Sequence, residues 1–158
     1  PVLAAISIAM VRGLLLNVGL HHASSNALGL PLSWPPQVVF IAAFMTVFAL
    51  VIAVAKDLPD VEGDRKYKVK TVAASLGVEK AAQLVVLVLM CNYGMGVAVG
   101  LFAAGVNTPL MVGAHVGLGV WLATFARKLE ATSISSIKLF YRNIWKLFYT
   151  EYLLFPFI

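Results

Sequence analysis

The amino-acid sequence predicts an all-α, polytopic transmembrane helix bundle with about five spanning helices. Hydrophobic residues make up 61% of the 158 residues and charged residues only 12%, and the mean hydropathy is +0.91. Soluble domains are usually about 45–50% apolar and about 25% charged. Because a spanning helix needs about 20 apolar residues, a chain of this length has room for roughly five such helices and their connections.

Uncharged runs separated by polar connections indicate where the spans lie. Residues 81–126 carry no formal charge but are too long for one helix, and Gly105 to Pro109 divides them into a helical hairpin. The predicted spans are, in order, about residues 1–20, 36–55, the two halves of 81–126, and 139–158. Because the first apolar run begins directly at Pro1, we expect an internal start and a chain that is part of a longer protein.

The distribution of charge predicts the orientation of these helices. Residues 56–80 hold six of the twelve Lys and Arg and five of the seven Asp and Glu, and five more basic residues lie between 127 and 146. The connections at 21–35 and 105–109 contain none. Both basic segments therefore fall on one face of a five-helix bundle, the cytoplasmic-equivalent side. Basic residues that flank apolar spans indicate a lipid bilayer as the partner and exclude nucleic acid.

Glycines are concentrated in the hairpin. Seven lie between residues 94 and 119, including the pairs Gly96 and Gly100, and Gly113 and Gly117. Small residues spaced by four let membrane helices approach closely, so we expect both pairs to serve helix packing.

Three aspartates lie close together in the segment after the second span. Asp57, Asp60 and Asp64 occupy positions i, i+3 and i+7, which fall within an arc of roughly 60° if the segment is helical. Carboxylates so close to one another repel, and a cation is expected to neutralise them. Mg²⁺ takes oxygen ligands and is commonly held by carboxylates together with substrate phosphates. The alternative is a solvated loop of mixed charge.

The residues around the aspartates suit a phosphate site. Pro59 is expected to end or kink the second span near residues 55–58 and to begin a new turn. Gly63 leaves room for a ligand to approach the backbone. The basic residues of the segment can donate hydrogen bonds to phosphate oxygens: Lys56, Arg65, Lys66, Lys68 and Lys70.

Two polar residues interrupt the first span. Arg12 lies within an apolar run, where an unpaired arginine is costly, so we expect it to face a cavity and to bind a substrate carboxylate or diphosphate. The alternative is that Arg12 snorkels toward the basic face. Asn17 is a second candidate for substrate binding. His115, in the hairpin, is expected to be a hydrogen-bonded packing residue.

Residues 56–66, KDLPDVEGDRK, resemble the second aspartate-rich motif of the UbiA family of membrane prenyltransferases. Thr71 and the Leu76-Gly77 pair also fit the segment that follows this motif. Three further stretches resemble the homogentisate solanesyltransferase branch of plants and algae: residues 11–17 (VRGLLLN), 27–31 (ALGLP) and 148–158 (FYTEYLLFPFI). The similarity covers essentially the whole chain.

The resemblance implies a fold and a reaction. The fold would have nine helices, of which this chain, as a partial domain covering residues 1–158, would hold the last five. The family's first motif, Asn-x-x-x-Asp followed by another Asp, is absent from the chain. Asp60 and Asp64 keep the family's four-residue spacing, whereas Asp57 lies one position off it. The resemblance implies that these aspartates bind Mg²⁺. It also implies that the enzyme transfers a solanesyl group from its diphosphate to homogentisate, which is decarboxylated. The product would be a plastoquinone precursor, made in a plastid membrane.

The sequence is also compatible with two alternatives. The first is another aromatic prenyltransferase of the same family, with a shorter donor such as phytyl or geranylgeranyl diphosphate. The second, from a different class, is a transporter or channel subunit. A transporter predicts inverted repeats and charge at mid-membrane, whereas the charge here gathers at one membrane edge.

Overall fold

A computed structural model describes residues 2–158, in which all regular secondary structure is helical. Pro1, where the first span was expected to begin, lies outside the described residues. In chain order the elements are α1 (Val2–Ala9), a π-helical segment (Met10–Leu15), α2 (Leu16–Ala27), α3 (Pro36–Ala55), a 3₁₀ turn (Leu58–Asp60), α4 (Val61–Lys66), α5 (Val72–Leu76), α6 (Val78–Phe102), α7 (Thr108–Ala126), α8 (Ile134–Leu154) and a last 3₁₀ turn (Phe155–Phe157).

The first long helical segment runs from α1 through the π-helical segment into α2. It ends at Ala27, not near Leu20 as the sequence predicted. The polar residues after Leu20 do not break a helix, and the chain turns only at Gly29, whose φ of 64° lies in the left-handed region that favours glycine. The connection to α3 is therefore shorter than expected.

Within residues 2–158, four helical segments are long and apolar enough to cross a membrane: Ile6–Ala27, Pro36–Lys66, Val78–Phe102 and Thr108–Ala126. The second has 31 residues, more than the about 20 that cross the hydrocarbon, so its uncharged part, α3, is the spanning portion. The predicted fifth span, α8, has 21 residues but carries Lys138, Arg142, Lys146 and Glu151. Five long helical segments are thus present, and four of them meet the criterion for a span.

Helix α3 is central to the bundle. Phe44, Met45 and Phe48 are fully buried, and α3 contacts the first helical segment, α6 and α8. Lipid tails are as apolar as these side chains, so close packing, not transfer from water, holds such helices together. Asn92 of α6 adds a buried hydrogen bond, from its Nδ2 to the carbonyl oxygen of Phe44 at 3.1 Å.

The hairpin of α6 and α7 turns where the sequence predicted. Gly105 adopts a φ of 81°, and the side chain of Asn107 accepts a hydrogen bond from the amide of Leu110 at 3.3 Å. A Cβ on Gly96 would lie 2.1 Å from His115 Cδ2, and one on Gly100 would lie 2.8 Å from Met111 Cγ. The packing role of this glycine pair is confirmed.

The second glycine pair has a different environment. A Cβ on Gly113 or on Gly117 would meet no atom of the described residues within 4 Å. The packing role expected for this pair is therefore not seen within residues 2–158, because both glycines lie on a face of α7 that no described neighbour approaches.

Candidate functional site

The acidic loop, residues 56–66, lies directly after α3. The helix ends at Ala55, and Pro59 stands in the first positions of the 3₁₀ turn Leu58–Asp60, so the predicted break is confirmed. Proline lacks an N–H and cannot continue the hydrogen bonding of α3, which explains the change of helix type. Leu58 and Val61 are 1% and 3% exposed and anchor the segment to the core. Its charged residues therefore face away from the core.

The three aspartates occupy different local environments. Asp57 precedes the 3₁₀ turn, exposed Asp60 precedes α4, and half-buried Asp64 lies within α4. The prediction that all three aspartates lie on one helical face is therefore wrong, because the 3₁₀ turn interrupts the helix. Within residues 2–158, no group of three or more His, Cys, Asp or Glu side chains lies close enough together to hold a metal ion. The metal-binding roles of these aspartates stay predictions.

The carboxylate of Asp64 is held by a threonine that sequence reasoning did not assign to the site. Thr71 Oγ1 donates a hydrogen bond to Asp64 Oδ2 at 3.1 Å and accepts one from the amide of Ala74 at 3.0 Å. Thr71 is the N-cap of α5, the role for which threonine is favoured. The cap of α5 therefore also orients Asp64. A threonine directly before a short helix is the local signal that could have indicated this role.

The electrostatics of the loop favour a cation near the aspartates. Asp57 lies in the turn after α3, beyond the spanning part of the helix. Burial raises the pKa of its carboxyl, the nearby Lys56 lowers it, and the Asp64 and Asp60 carboxylates raise it further. Lys56 Nζ lies 3.9 Å from Asp57 Oδ1. One carboxylate of the three thus already has a cationic neighbour.

The predicted phosphate donors are placed unequally. Arg65 donates from Nε to the carbonyl oxygen of Ala74 at 2.7 Å, which ties α4 to α5. A guanidinium has five N–H groups, so others stay available for a ligand. Lys56 and Lys66 are exposed on the same loop, and Gly63 has open space where a side chain would be. The loop therefore gathers three basic side chains beside the aspartates.

Arg12 and Asn17 lie apart from the loop and face α8. Arg12 belongs to the π-helical segment, and its Cζ is 5.7 Å from the centroid of the Trp145 ring. Asn17 is buried, and its Nδ2 donates to Gly13 O at 2.6 Å and to Tyr152 Oη at 3.2 Å. These contacts account for both N–H groups of the amide, so Asn17 holds helices together in this structure. π-helical turns are frequent at functional sites, which suits Arg12.

Tyr93, His115 and Glu151 form a buried polar cluster, of which the sequence analysis singled out only His115. His115 Nδ1 makes a hydrogen bond to Met111 O at 2.6 Å, so its predicted role as a hydrogen-bonded packing residue is confirmed. Glu151 and Tyr93 were not singled out, yet both are buried with His115. An acidic residue in the last predicted span was the one signal for Glu151.

Several plant proteins are similar to the whole chain. It is 47% identical over 161 residues to homogentisate solanesyltransferase, chloroplastic, of Arabidopsis thaliana, covering 100% of this chain and 42% of that protein. It is 45% identical to the probable homogentisate phytyltransferase 2, chloroplastic, of Oryza sativa subsp. japonica, with the same coverage. It is 35% identical to 2-acylphloroglucinol 4-prenyltransferase, chloroplastic, of Humulus lupulus, covering 100% of this chain and 39% of that protein. The chain thus spans about two fifths of the length of these relatives.

No solved structure gives a significant match to the chain. The UbiA prenyltransferase family, in contrast, matches residues 1–147, which is most of the sequence. The four apolar helices and this match together indicate an integral, multi-pass membrane protein. On the strength of residues 1–147, the chain belongs to the UbiA prenyltransferase family.

Proposed function

We propose that this chain supplies the second aspartate-rich half of the active site of an aromatic prenyltransferase. The enzyme would transfer solanesyl from its diphosphate to homogentisate, with loss of the carboxyl group, in plastoquinone biosynthesis in a plastid membrane. The observation that carries the proposal is the loop of Asp57, Asp60 and Asp64, fixed at the end of α3 by buried Leu58 and Val61. The relative named as a solanesyltransferase, at 47% identity, supports the choice of prenyl group.

Mg²⁺ is the proposed cofactor, and the residues of the loop fit it. Carboxylate oxygens are the ligands that Mg²⁺ prefers, and the ion is usually bound by one or two carboxylates plus substrate phosphates. Asp60 is exposed and Asp64 is held in place by Thr71, so these two are the proposed principal ligands, with Asp57 beside them. When bound, the ion would stabilise the charge that develops on the diphosphate leaving group.

The basic side chains of the loop would bind the diphosphate. Lys56, Arg65 and Lys66 lie within ten positions of one another on one face of the bundle, and each can donate to phosphate oxygens. In the reaction the allylic C–O bond breaks and diphosphate leaves, while a ring carbon of the acceptor forms the new C–C bond and releases its proton. The side-chain carboxylate leaves as CO2, and the carbon that carried it takes up a proton. Cationic donors placed where the leaving group gains charge lower the barrier.

Arg12 is proposed to bind the carboxylate of homogentisate. Its Cζ lies 5.7 Å from the centroid of the Trp145 ring, and a guanidinium carries five N–H groups, so donors remain for a bidentate pair with a carboxylate. Asn17 is proposed as an auxiliary group: its contacts with Gly13 and Tyr152 support a role in holding the segment that carries Arg12.

The prenyl donor and the acceptor each have a second candidate. The rice relative at 45% identity is named as a phytyltransferase, so phytyl or geranylgeranyl diphosphate is the alternative donor. The hop relative is named for a different phenolic acceptor. A transporter subunit is not proposed, because the chain belongs to a prenyltransferase family.

The experiment uses the full-length protein in lipid nanodiscs with Mg²⁺ and labelled homogentisate. Solanesyl, geranylgeranyl and phytyl diphosphates compete in one reaction, and the products are separated by chain length. Asp60→Ala and Asp64→Ala are expected to lower the rate by about 10²-fold or more, the loss typical when an electrostatic stabiliser is removed. Glu62→Gln is the matched control, since Glu62 is an exposed acid of the same loop. Unchanged rates in both alanine variants would refute the site, and preference for a shorter donor would refute solanesyl.

A further inference from the structure

Two cationic side chains of α8, Arg142 and Lys146, are exposed at a depth where the neighbouring helix α7 spans the membrane. Lys146 precedes Glu151 by five residues, and Glu151 contacts His115 of α7. His115 in turn precedes Ala126, the end of α7 on the basic face, by eleven residues. At 1.5 Å per residue, Lys146 therefore lies about 9 Å below that end of α7.

These two cations and Arg12 lack an acidic partner. Within residues 2–158, none of the three side chains forms an ion pair with Asp or Glu. Arg12 comes from the first helical segment, yet its Cζ lies 5.7 Å from the centroid of the ring of Trp145, the residue directly before Lys146. A cation at membrane depth is costly unless it faces a polar cavity or pairs with another group. Three unpaired cations around one tryptophan therefore indicate a site for an anion.

An aromatic surface lies among these cations. Arg142, Trp145, Lys146 and Tyr149 occupy positions i, i+3, i+4 and i+7, which share one side of a helix. The rings of Trp145 and Tyr149 are stacked, with centroids 5.7 Å apart and an angle of 27° between their planes. Tyr149 is 64% exposed, so its ring can pack against the ring of a ligand. Cations beside an exposed aromatic ring are complementary to an aromatic acid, whereas a diphosphate would use the cations alone.

This face of α8 lies near the acidic loop. Helix α8 contacts both α3 and the 3₁₀ turn Leu58–Asp60 of the loop. The loop follows the end of α3, whereas Lys146 lies deeper in the bundle, so a ligand beside Lys146 would sit below a diphosphate held by the loop. An acceptor ring has to lie beside the allylic end of the prenyl donor, and this order of depth suits it.

We propose that Arg142, Lys146 and Tyr149 bind the aromatic acceptor together with Arg12. The carboxylate of the acceptor accepts hydrogen bonds from the two guanidinium groups and from the Lys146 ammonium. The ring of the acceptor packs on Tyr149. This inference rests on the proposed function, in which the acceptor is homogentisate, an aromatic acid.

The test measures the binding of homogentisate to the full-length protein in lipid nanodiscs by isothermal titration calorimetry. Arg142→Gln and Lys146→Gln should each raise the Kd by about 10-fold or more, the loss expected when a hydrogen bond to a charged group is removed. Neither variant should change the Kd for methylhydroquinone, the same ring without the carboxyl group. Tyr149→Leu removes the ring contact, so it should raise the Kd for both compounds.

Lys80→Gln is the matched control, because Lys80 is an exposed cation of the basic face on another helix, α6. It should leave the Kd for homogentisate unchanged. Lys146→Arg keeps the charge and should keep the affinity. The unfolding midpoints of all variants should equal that of the unaltered protein, since the substituted side chains are exposed.

Two results overturn the proposal. Unchanged affinity for homogentisate in both glutamine variants would assign the cations to lipid head groups, which long basic side chains can reach. A raised Kd for magnesium pyrophosphate, with homogentisate unaffected, would assign them to the prenyl donor. Prenyl transfer by the unaltered protein is measured separately. Transfer together with unchanged binding in the variants refutes this inference alone, and weakened binding without any transfer by the unaltered protein refutes the proposed function alone.

Discussion

The hydroxyl of Thr71 joins Asp64 to the start of α5. Its Oγ1 accepts a hydrogen bond from the amide of Ala74 at 3.0 Å and donates its one hydrogen to Asp64 Oδ2 at 3.1 Å. A hydroxyl has a single donor, so the cap leaves Thr71 free to direct that hydrogen at the carboxylate. This hydrogen bond fixes the direction in which the other carboxylate oxygen, Asp64 Oδ1, points. A side chain that binds a metal needs such a fixed orientation.

Replacement of Thr71 by valine tests this orientation. Valine keeps the shape but removes the hydroxyl, so we expect prenyl transfer to fall by about 10- to 100-fold, as for lost partners of metal ligands. Loss of the N-cap should also destabilise α5 by about 1 kcal/mol. Steady-state rates at several Mg²⁺ concentrations are the measurement. Thr71→Ser retains the hydroxyl and should keep most of the activity; equal losses in the two variants would contradict the role.

Removal of divalent metal tests the cofactor and ranks its ligands. Chelation with EDTA should abolish prenyl transfer, and added Mg²⁺ should restore it. The Mg²⁺ needed for half-maximal rate should rise more in Asp64→Asn than in Asp57→Asn, because Lys56 Nζ already lies 3.9 Å from Asp57 Oδ1. Glu62→Gln serves as the control for loss of one charge. Full activity in EDTA would refute metal dependence, and a larger rise in Asp57→Asn would reverse the ranking.

Local signals predicted much of the fold and the position of the acidic loop. Pro59 has a rigid ring and no N–H, and α3 does end just before it. Gly105 and Asn107 mark the hairpin turn, where they occur in the structure. Such features depend on residues a few positions apart, which is why one sequence suffices to find them.

Features that depend on distant residues escaped prediction. The bond between Asn17 and Tyr152 joins residues 135 positions apart, and the contact of His115 with Glu151 joins different helices. No spacing rule connects such pairs before the bundle is assembled. The single helical face expected for the three aspartates failed for another reason: the i, i+3, i+7 spacing assumes one continuous helix, whereas the 3₁₀ turn at Pro59 interrupts it and Leu58 and Val61 are buried in the core.

The contact of Arg12 with Trp145 predicts how the acceptor is bound. Trp145→Leu removes a cation–π interaction at 5.7 Å, worth about 0.5–2 kcal/mol. Arg12 would lose its preferred position, so we expect KM for homogentisate to rise with little change in KM for the prenyl diphosphate. Trp121→Leu is the matched control, because Trp121 packs against Phe125 in α7. A rise in KM for the diphosphate instead would assign Arg12 to the donor.

The close approach of α6 and α7 predicts an unequal effect of two neighbouring glycines. Gly96→Ala would place a Cβ 2.1 Å from His115 Cδ2, and the ring is enclosed by Phe40 and Phe44 and cannot retreat. Overpacking of this kind typically costs about 1–3 kcal/mol, so the unfolding midpoint should fall clearly. Gly94 lies on the same helix, where a Cβ meets nothing within 4 Å of the described residues. Gly94→Ala should therefore leave the midpoint unchanged or raise it slightly, since alanine favours a helix more than glycine does. Thermal unfolding of the full-length protein in nanodiscs measures both variants side by side. Equal midpoints would show that α6 and α7 can move apart at His115, and the tight contact would then not be a constraint on the bundle.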